Sequence, residues 1–338
     1  MILDAYTHWT PPNYVKELST VKNGSAVAEA RHVMDLSSQN KSFIDPEFRI
    51  KEMDQFGFAA QVTMVHSIIE PNTFELTNEE NLRLVRVIND EISALESDTH
   101  GRIMGVGSIP LNSLEEGGLE EMDRAIRELG LKGFMVPTNA CGVPVDNFGL
   151  AWERAAKLDV PVYIHPVDTY GKNSRSYEQE YDLMHVLGWP YETGLIWMRL
   201  MLSGILSKFP SLKIITHHLG GVIPYMIGRI QESYDSKASK VLNVRGESYG
   251  VEGYNPKDYL DSFYYDTAIG GNLSALKLGL DVVGQEKMIF STDYPWGPDG
   301  GKVRMANYPG LIEHLGLDGE ALENLFSKTA MRLLKIEL

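Results

Sequence analysis

The chain has 338 residues, 43% hydrophobic and 23% charged, a globular composition that excludes intrinsic disorder, collagen and coiled coil. Thirty-one Lys and Arg against 46 Asp and Glu leave a formal charge of −15, which removes most of the electrostatic attraction that nucleic-acid binding requires. No apolar run approaches the roughly 20 residues of a membrane span, and the first residues lack the basic start and apolar stretch of a signal peptide, so a soluble, cytoplasmic protein without nucleic-acid or membrane partners is expected.

Short apolar, β-rich runs bounded by turn residues read as buried parallel strands. Eight follow one another along the chain, at residues 2–6, 59–65, 102–110, 133–137, 161–166, 213–218, 263–267 and 288–295. Helical spacing fills several of the gaps. Leu82, Val85, Ile88, Ile92 and Leu95 recur behind a Thr77/Glu80 capping box. Ser113 and Glu116 are expected to open a second helix, with Leu119, Met122, Ile126 and Leu129 along one face and Gly130 at its stop. Asp318 is expected to cap a last helix carrying Leu322, Leu325, Phe326 and Leu333.

Eight strands alternating with helices predict a (β/α)8 TIM barrel, read as a single domain over residues 1–338. The rival is a doubly wound open sheet, whose dinucleotide form is weakened because no G-x-G-x-x-G follows an early strand. Two connections, residues 7–58 after the first strand and 167–212 after the fifth, are too long for plain loops and suggest lids, substrate walls or subunit contacts. The aromatic and Met residues between Trp189 and Phe209 are expected to pack a helix or a subunit interface. Cys141, the one cysteine, cannot form an internal disulfide and reads as inert and partly buried.

Metal-capable side chains gather at the C-terminal ends of four predicted strands: Tyr6 and His8 at the first, His165 at the fifth, His217 and His218 at the sixth, Asp293 at the eighth. In a closed barrel those ends converge. Imidazole nitrogen and carboxylate oxygen suit zinc, iron or manganese, with an open position for a water or a substrate oxygen. His32, His66, His100 and His185 read as ordinary structural or surface histidines.

The order and spacing of Asp4-x-Tyr6-x-His8, Val162-Tyr163-Ile164-His165-Pro166, His218-Leu219-Gly220-Gly221 with Gly228-Arg229, and Ser291-Thr292-Asp293-Tyr294-Pro295 resemble the metal-dependent amidohydrolase superfamily, in its aminocarboxymuconate-semialdehyde decarboxylase-like branch. The stretch from Asp45 through Arg49 and Asp54 to Gly57 is similar to the same branch. The resemblance spans most of the chain. It implies His8, His165 and Asp293 as metal ligands, His218 as the histidine that orients or deprotonates a metal-bound water, and Arg49 and Arg229 as grips for a substrate carboxylate. In the family that second arginine reaches into a neighbouring subunit's site. Guanidinium and carboxylate match through two parallel hydrogen bonds.

One position departs from the family, which has His or Glu where Tyr6 stands. Tyr6 then binds as phenolate, steps back from a three-ligand site, or marks lost metal binding. The implied cofactor is a divalent transition metal, zinc first and iron or manganese as alternatives. The implied activity is a lyase or hydrolase acting on a small carboxylated substrate, foremost a decarboxylase. Two other readings stand beside it: an iron-containing dinuclear oxygenase that resembles 2-aminoisobutyrate hydroxylase, for which Tyr6 beside the adjacent pair His217 and His218 would supply the extra ligands of a second ion, and a non-catalytic subunit of a hetero-oligomer. The expected assembly is a homodimer or a hetero-oligomer with a related subunit.

Overall fold

Each of the eight apolar runs contains strand in a computed structural model, which describes residues 1–168, 180–235 and 255–338. The strands are β1 (Ile2–Trp9), β2 (Phe58–Val65), β3 (Ile103–Gly105), β4 (Gly107–Ser108), β5 (Phe134–Pro137), β6 (Asn139–Ala140), β7 (Val143–Pro144), β8 (Pro161–His165), β9 (Lys213–Thr216), β10 (Phe263–Asp266) and β11 (Met288–Ile289). The architecture is mixed α/β with parallel sheets. One sheet runs β1-β2-β3, another β11-β10-β9-β8-β5-β4, and β6 with β7 forms a small antiparallel hairpin. The third run of the sequence is split into β3 and β4 at Val106, whose N–H turns to Thr63 O at 2.9 Å. At the other edge, Ala5 N donates to Phe290 O at 3.0 Å, Asp293 N to Tyr6 O at 3.1 Å and His8 N to Tyr294 O at 2.7 Å. These bonds link β1 to the segment after β11.

The helices are α1 (Pro12–Leu18), α2 (Gly24–Gln39), α3 (Pro46–Phe56), α4 (Asn78–Asp98), α5 (Leu119–Arg127), α6 (Gly149–Leu158), α7 (Trp189–Leu202), α8 (Ile205–Lys208), α9 (Ile223–Asp235), α10 (Leu273–Val283), α11 (Lys302–Glu313), α12 (Gly319–Glu323) and α13 (Thr329–Leu334). The first long connection holds α1, α2 and α3. The second holds α7 and α8, with residues 169–179 of it lying outside the described ones. Among the described residues no helix is long and apolar enough to cross a membrane.

The capping box before α4 forms as expected, with Thr77 and Glu80 each accepting from the other's backbone N–H. Asp318 caps α12 through Ala321 N at 2.8 Å. The expected cap at Ser113 does not form. Its hydroxyl instead donates to Asn78 O at 2.7 Å and Asn81 Oδ1 at 3.1 Å, and α5 begins only at Leu119, beyond Gly117 at φ 112°.

That diversion belongs to a buried polar network between α4 and the strands. Asn72 donates to Glu70 and to Ile109 O and accepts from Asn81. Ser108 Oγ donates to Glu70 Oε2 at 3.1 Å, and Asn89 exchanges bonds with the Ser108 backbone. Burial outweighs the hydrogen bonds from Ser108 and Asn72 and raises the Glu70 carboxyl from 4.5 to about 7. A folded-state value above the unfolded one means that stability is complete below about pH 4.5 and is lost as pH rises through about 7. Glu70→Gln should flatten that decline by about 1 to 3 kcal/mol, read from denaturant unfolding at pH 5 and 7.5; an unchanged pH slope would contradict it.

Candidate functional site

His165 at the end of β8, His217 and His218 after β9 and Asp293 after β11 meet in a cavity of about 890 Å³ that Trp189, Trp296 and Arg304 also line, with His8 of β1 beside Asp293. His8 Nε2 lies 3.2 Å from Asp293 Oδ1, and His218 Nε2 lies 3.5 Å from Asp293 Oδ2. The His165 ring is 5.1 Å from His8 and 4.5 Å from His217, centroid to centroid. His217, His218 and Asp293 each offer an atom within 4.8 Å of the others.

Three imidazoles are tethered through Nδ1. His8 Nδ1 pairs with Val65 O at 3.3 Å, His165 Nδ1 with Pro166 O at 2.6 Å and His218 Nδ1 with Asp266 Oδ1 at 3.3 Å. A carbonyl at Nδ1 gives His8 and His165 the tautomer with its lone pair on Nε2, as metal-ligating histidines require, whereas the Asp266 carboxylate favours the cationic form of His218. His8 Nε2 and the Tyr6 hydroxyl are buried without hydrogen-bond partners, and the Tyr6 ring stands 5.5 Å from His8 and 5.4 Å from His217. Two buried polar atoms without hydrogen-bond partners, with the neutral imidazoles of His165 and His217 and the Asp293 carboxylate close by, make a donor set that fits a cation.

The local backbone is shaped to present these groups. Asp293 sits at φ 62° and His218 at φ 41°, both left-handed. His218 N donates to Asp266 Oδ2 at 2.7 Å, which holds the bend. At Gly221, φ 61°, an added Cβ would lie 2.1 Å from Pro190 O, so the Gly220-Gly221 pair serves the turn from β9 to α9.

Charge follows burial and neighbours. Burial alone would lower His218, but Asp266 and Asp293 outweigh it and raise the imidazole to about 9. Burial opposes ionisation of Asp293, yet His218 and His8 hold it well below the carboxylate range. Burial, with smaller contributions from neighbouring histidines, lowers His165, His217 and His66 well below 6.5, so they stay neutral. The Tyr6 phenol is raised by burial and by Asp266 and Asp293.

The expected residues divide clearly. Tyr6, His8, His165, His218 and Asp293 come together. Arg49 does not join them at the cavity: it is fully buried, and its Nε, Nη1 and Nη2 donate to Gln61 Oε1, His8 O and Thr7 Oγ1. The expectation that it grips a substrate is therefore corrected, since its fork is already filled by β1 and β2. Arg229 is exposed on α9 and does not line the cavity within this chain. Cys141 is exposed rather than partly buried; local desolvation, with Glu75, raises its thiol, and Sγ donates to Asn72 O at 3.4 Å.

Other residues were passed over in the sequence. Asp266, which ends β10, carried the same strand-end signal as the ligands. His66 was taken as structural, yet it stacks 5.5 Å from His8 with both ring nitrogens unpartnered. His32 and His185 line the cavity, as does Trp189, which is therefore more than packing. Arg304, on α11, reaches Asp293 Oδ2 at 2.8 Å and had no strand-end signal.

Comparison with known proteins identifies the family. The amidohydrolase family profile matches residues 29–336. The chain is 28% identical over 352 residues to 2-amino-3-carboxymuconate-6-semialdehyde decarboxylase of Dictyostelium discoideum, covering 99% of this chain and 92% of that one. It is similar in fold to 5-carboxyvanillate decarboxylase from Sphingomonas paucimobilis, with a TM-score of 0.84, 20% identity and 99% of each chain covered. It is also similar to dihydroxybenzoic acid decarboxylase from Polaromonas sp. JS666 with bound manganese and 2-nitroresorcinol, with a TM-score of 0.74, 21% identity, and 99% and 96% covered.

The placement of Arg49 gives a direct check. Arg49→Met leaves three acceptors unpaired and should lower unfolding stability by about 3 kcal/mol or more, with metal-site spectroscopy unaltered in the remaining folded protein; a variant of native stability with weakened ligand binding would restore the substrate role. Matched over most of its length, the chain belongs to the amidohydrolase family.

Proposed function

We propose that the chain is a metal-dependent decarboxylase of a small carboxylated aromatic or conjugated substrate. The observation that carries this reading is the tethering of His8, His165 and His218 through Nδ1, with Nε2 of His8 and of His218 within 3.5 Å of Asp293 at the floor of a large cavity. Relatives and structural neighbours named as decarboxylases supply the reaction class. A single (β/α)8 domain is the architecture that goes with it, supported by the bonds joining β1 to the segment after β11 and by one apolar cluster running from Leu3 to Ile336.

His8, His165 and Asp293 would hold a divalent ion, with Tyr6 and His217 adjacent. Manganese, present in a neighbour's structure, joins zinc as the leading candidate. The ion, when bound, supplies Lewis-acid polarisation of a substrate oxygen. His218, held cationic by Asp266 and Asp293, hands its proton to the ring carbon that bears the carboxylate. The bond from that carbon to the carboxylate carbon then breaks, carbon dioxide leaves, and the bonding electrons restore the conjugated ring. Trp189 and Trp296 line the cavity with rings suited to a planar molecule, and α2 with residues 182–186 completes part of its wall. Arg229 would serve a neighbouring copy in a homodimer, or a related subunit in a hetero-oligomer.

Hydrolysis at the same residues is distinguished by product, since only decarboxylation releases carbon dioxide. The dinuclear oxygenase reading requires two ions including iron per chain, and the non-catalytic subunit reading requires that the purified chain alone neither bind stoichiometric metal nor turn over.

His165→Ala and Asp293→Ala should each abolish stoichiometric metal by elemental analysis, and retention in both would contradict the ligand assignment. His218→Ala should keep its metal and lose about 10²- to 10⁴-fold in carbon dioxide release; wild-type turnover in that variant would remove His218 as proton carrier.

A further inference from the structure

The cavity has a cation poised for an anion. Arg304 is the one Lys or Arg among the described residues that line it. Both of its hydrogen bonds run through Nη1, to Asp293 Oδ2 at 2.8 Å and Thr292 O at 3.3 Å. Nε and Nη2 therefore remain as a donor pair on one edge of the guanidinium, the edge geometry that meets a carboxylate in two parallel bonds. The side chain keeps 20% exposure, in contrast to the fully enclosed Arg49, so a ligand in the cavity can reach it.

The position is built. Arg304 lies in the first turn of α11, and its N–H donates to Gly301 O at 3.0 Å. Gly297, at φ 102°, lies against it: an added Cβ there would be 2.5 Å from Nε, so only glycine leaves the guanidinium its place. The Asp293 bond fixes the fork beside the carboxylate to which His8 and His218 also point. Trp296 and Trp189 add large apolar rings to the lining of the same cavity.

We propose that Arg304 is the specificity-determining residue of this site, recognising the carboxylate of a flat, ring-bearing acid that lies between the two tryptophans. This rests on the decarboxylase reading and names the residue that selects its substrate class. A neutral ring of the same shape would meet the tryptophans and gain nothing from the fork.

The test uses the full-length, metal-reconstituted protein and two probe pairs that differ only in the carboxylate: 2,6-dihydroxybenzoate against resorcinol, and salicylate against phenol. Calorimetric titration should show wild type preferring the acid of at least one pair by tenfold or more. Arg304→Met should bring that preference to within about twofold of unity while neutral-ring affinity and metal content stay at wild-type values, and Arg304→Lys should recover part of it. A tenfold preference surviving in Arg304→Met overturns the assignment. Equal loss of acid and neutral ring, or loss of metal, shows that Arg304 acts only through Asp293 and overturns it as well. Wild type that shows no tenfold preference for either acid overturns the inference too, while the decarboxylase reading is tested separately by the metal content of His165→Ala and Asp293→Ala.

Discussion

Three imidazoles are useful together only if each is prevented from turning. His8, His165 and His218 achieve this with one bond apiece at Nδ1, to Val65 O, Pro166 O and Asp266. Each tether fixes a ring plane, and for the ligand candidates His8 and His165 outer partners of this kind are worth about 10- to 100-fold in metal affinity. Two of the acceptors are backbone carbonyls, so the tethers are fixed by the chain path where the strands end. The strand ends therefore determine the chemistry more directly than any single side chain does.

Convergence of this kind has a structural cost, and the surroundings offset it. Asp293, His218 and Leu219 all lie at positive φ, at about 1 to 3 kcal/mol each for non-glycine residues. Asp293 N donates to Tyr6 O, and His218 N and Ala268 N donate to Asp266. Arg49 lies behind the site as a buried tie, bridging the His8 carbonyl, Thr7 and Gln61, with its cation 4.8 Å from the Tyr294 ring centroid. Burial lowers it to about 10, well short of neutralising it at physiological pH. Its three bonds tie β1 to β2 behind the site.

The strands were legible because parallel strands covered on both sides are continuous apolar runs, and those runs stand apart from the helical spacing between them. The site was legible for a related reason: a polar residue at the end of such a run has few structural uses. That logic singles out His8, His165, His218 and Asp293, which the fold brings near one another, and applied evenly it would also single out Asp266. It failed where position depends on tertiary packing. Arg49 carried a family-like context but spends its fork on the core. Ser113 matched a capping pattern but is drawn into the network around Asn81. His66 reads like any lone histidine until its ring is seen against His8, and Arg304 lies eleven residues beyond Asp293 on a helix with no strand-end signal.

Anomalous diffraction collected at the absorption edge of the resident ion tests the central claim most directly. The account requires one divalent ion bonded to His8 Nε2, His165 Nε2 and an Asp293 oxygen at about 2.0 to 2.3 Å. An anomalous peak elsewhere, or none in protein prepared with zinc or manganese present, would contradict it.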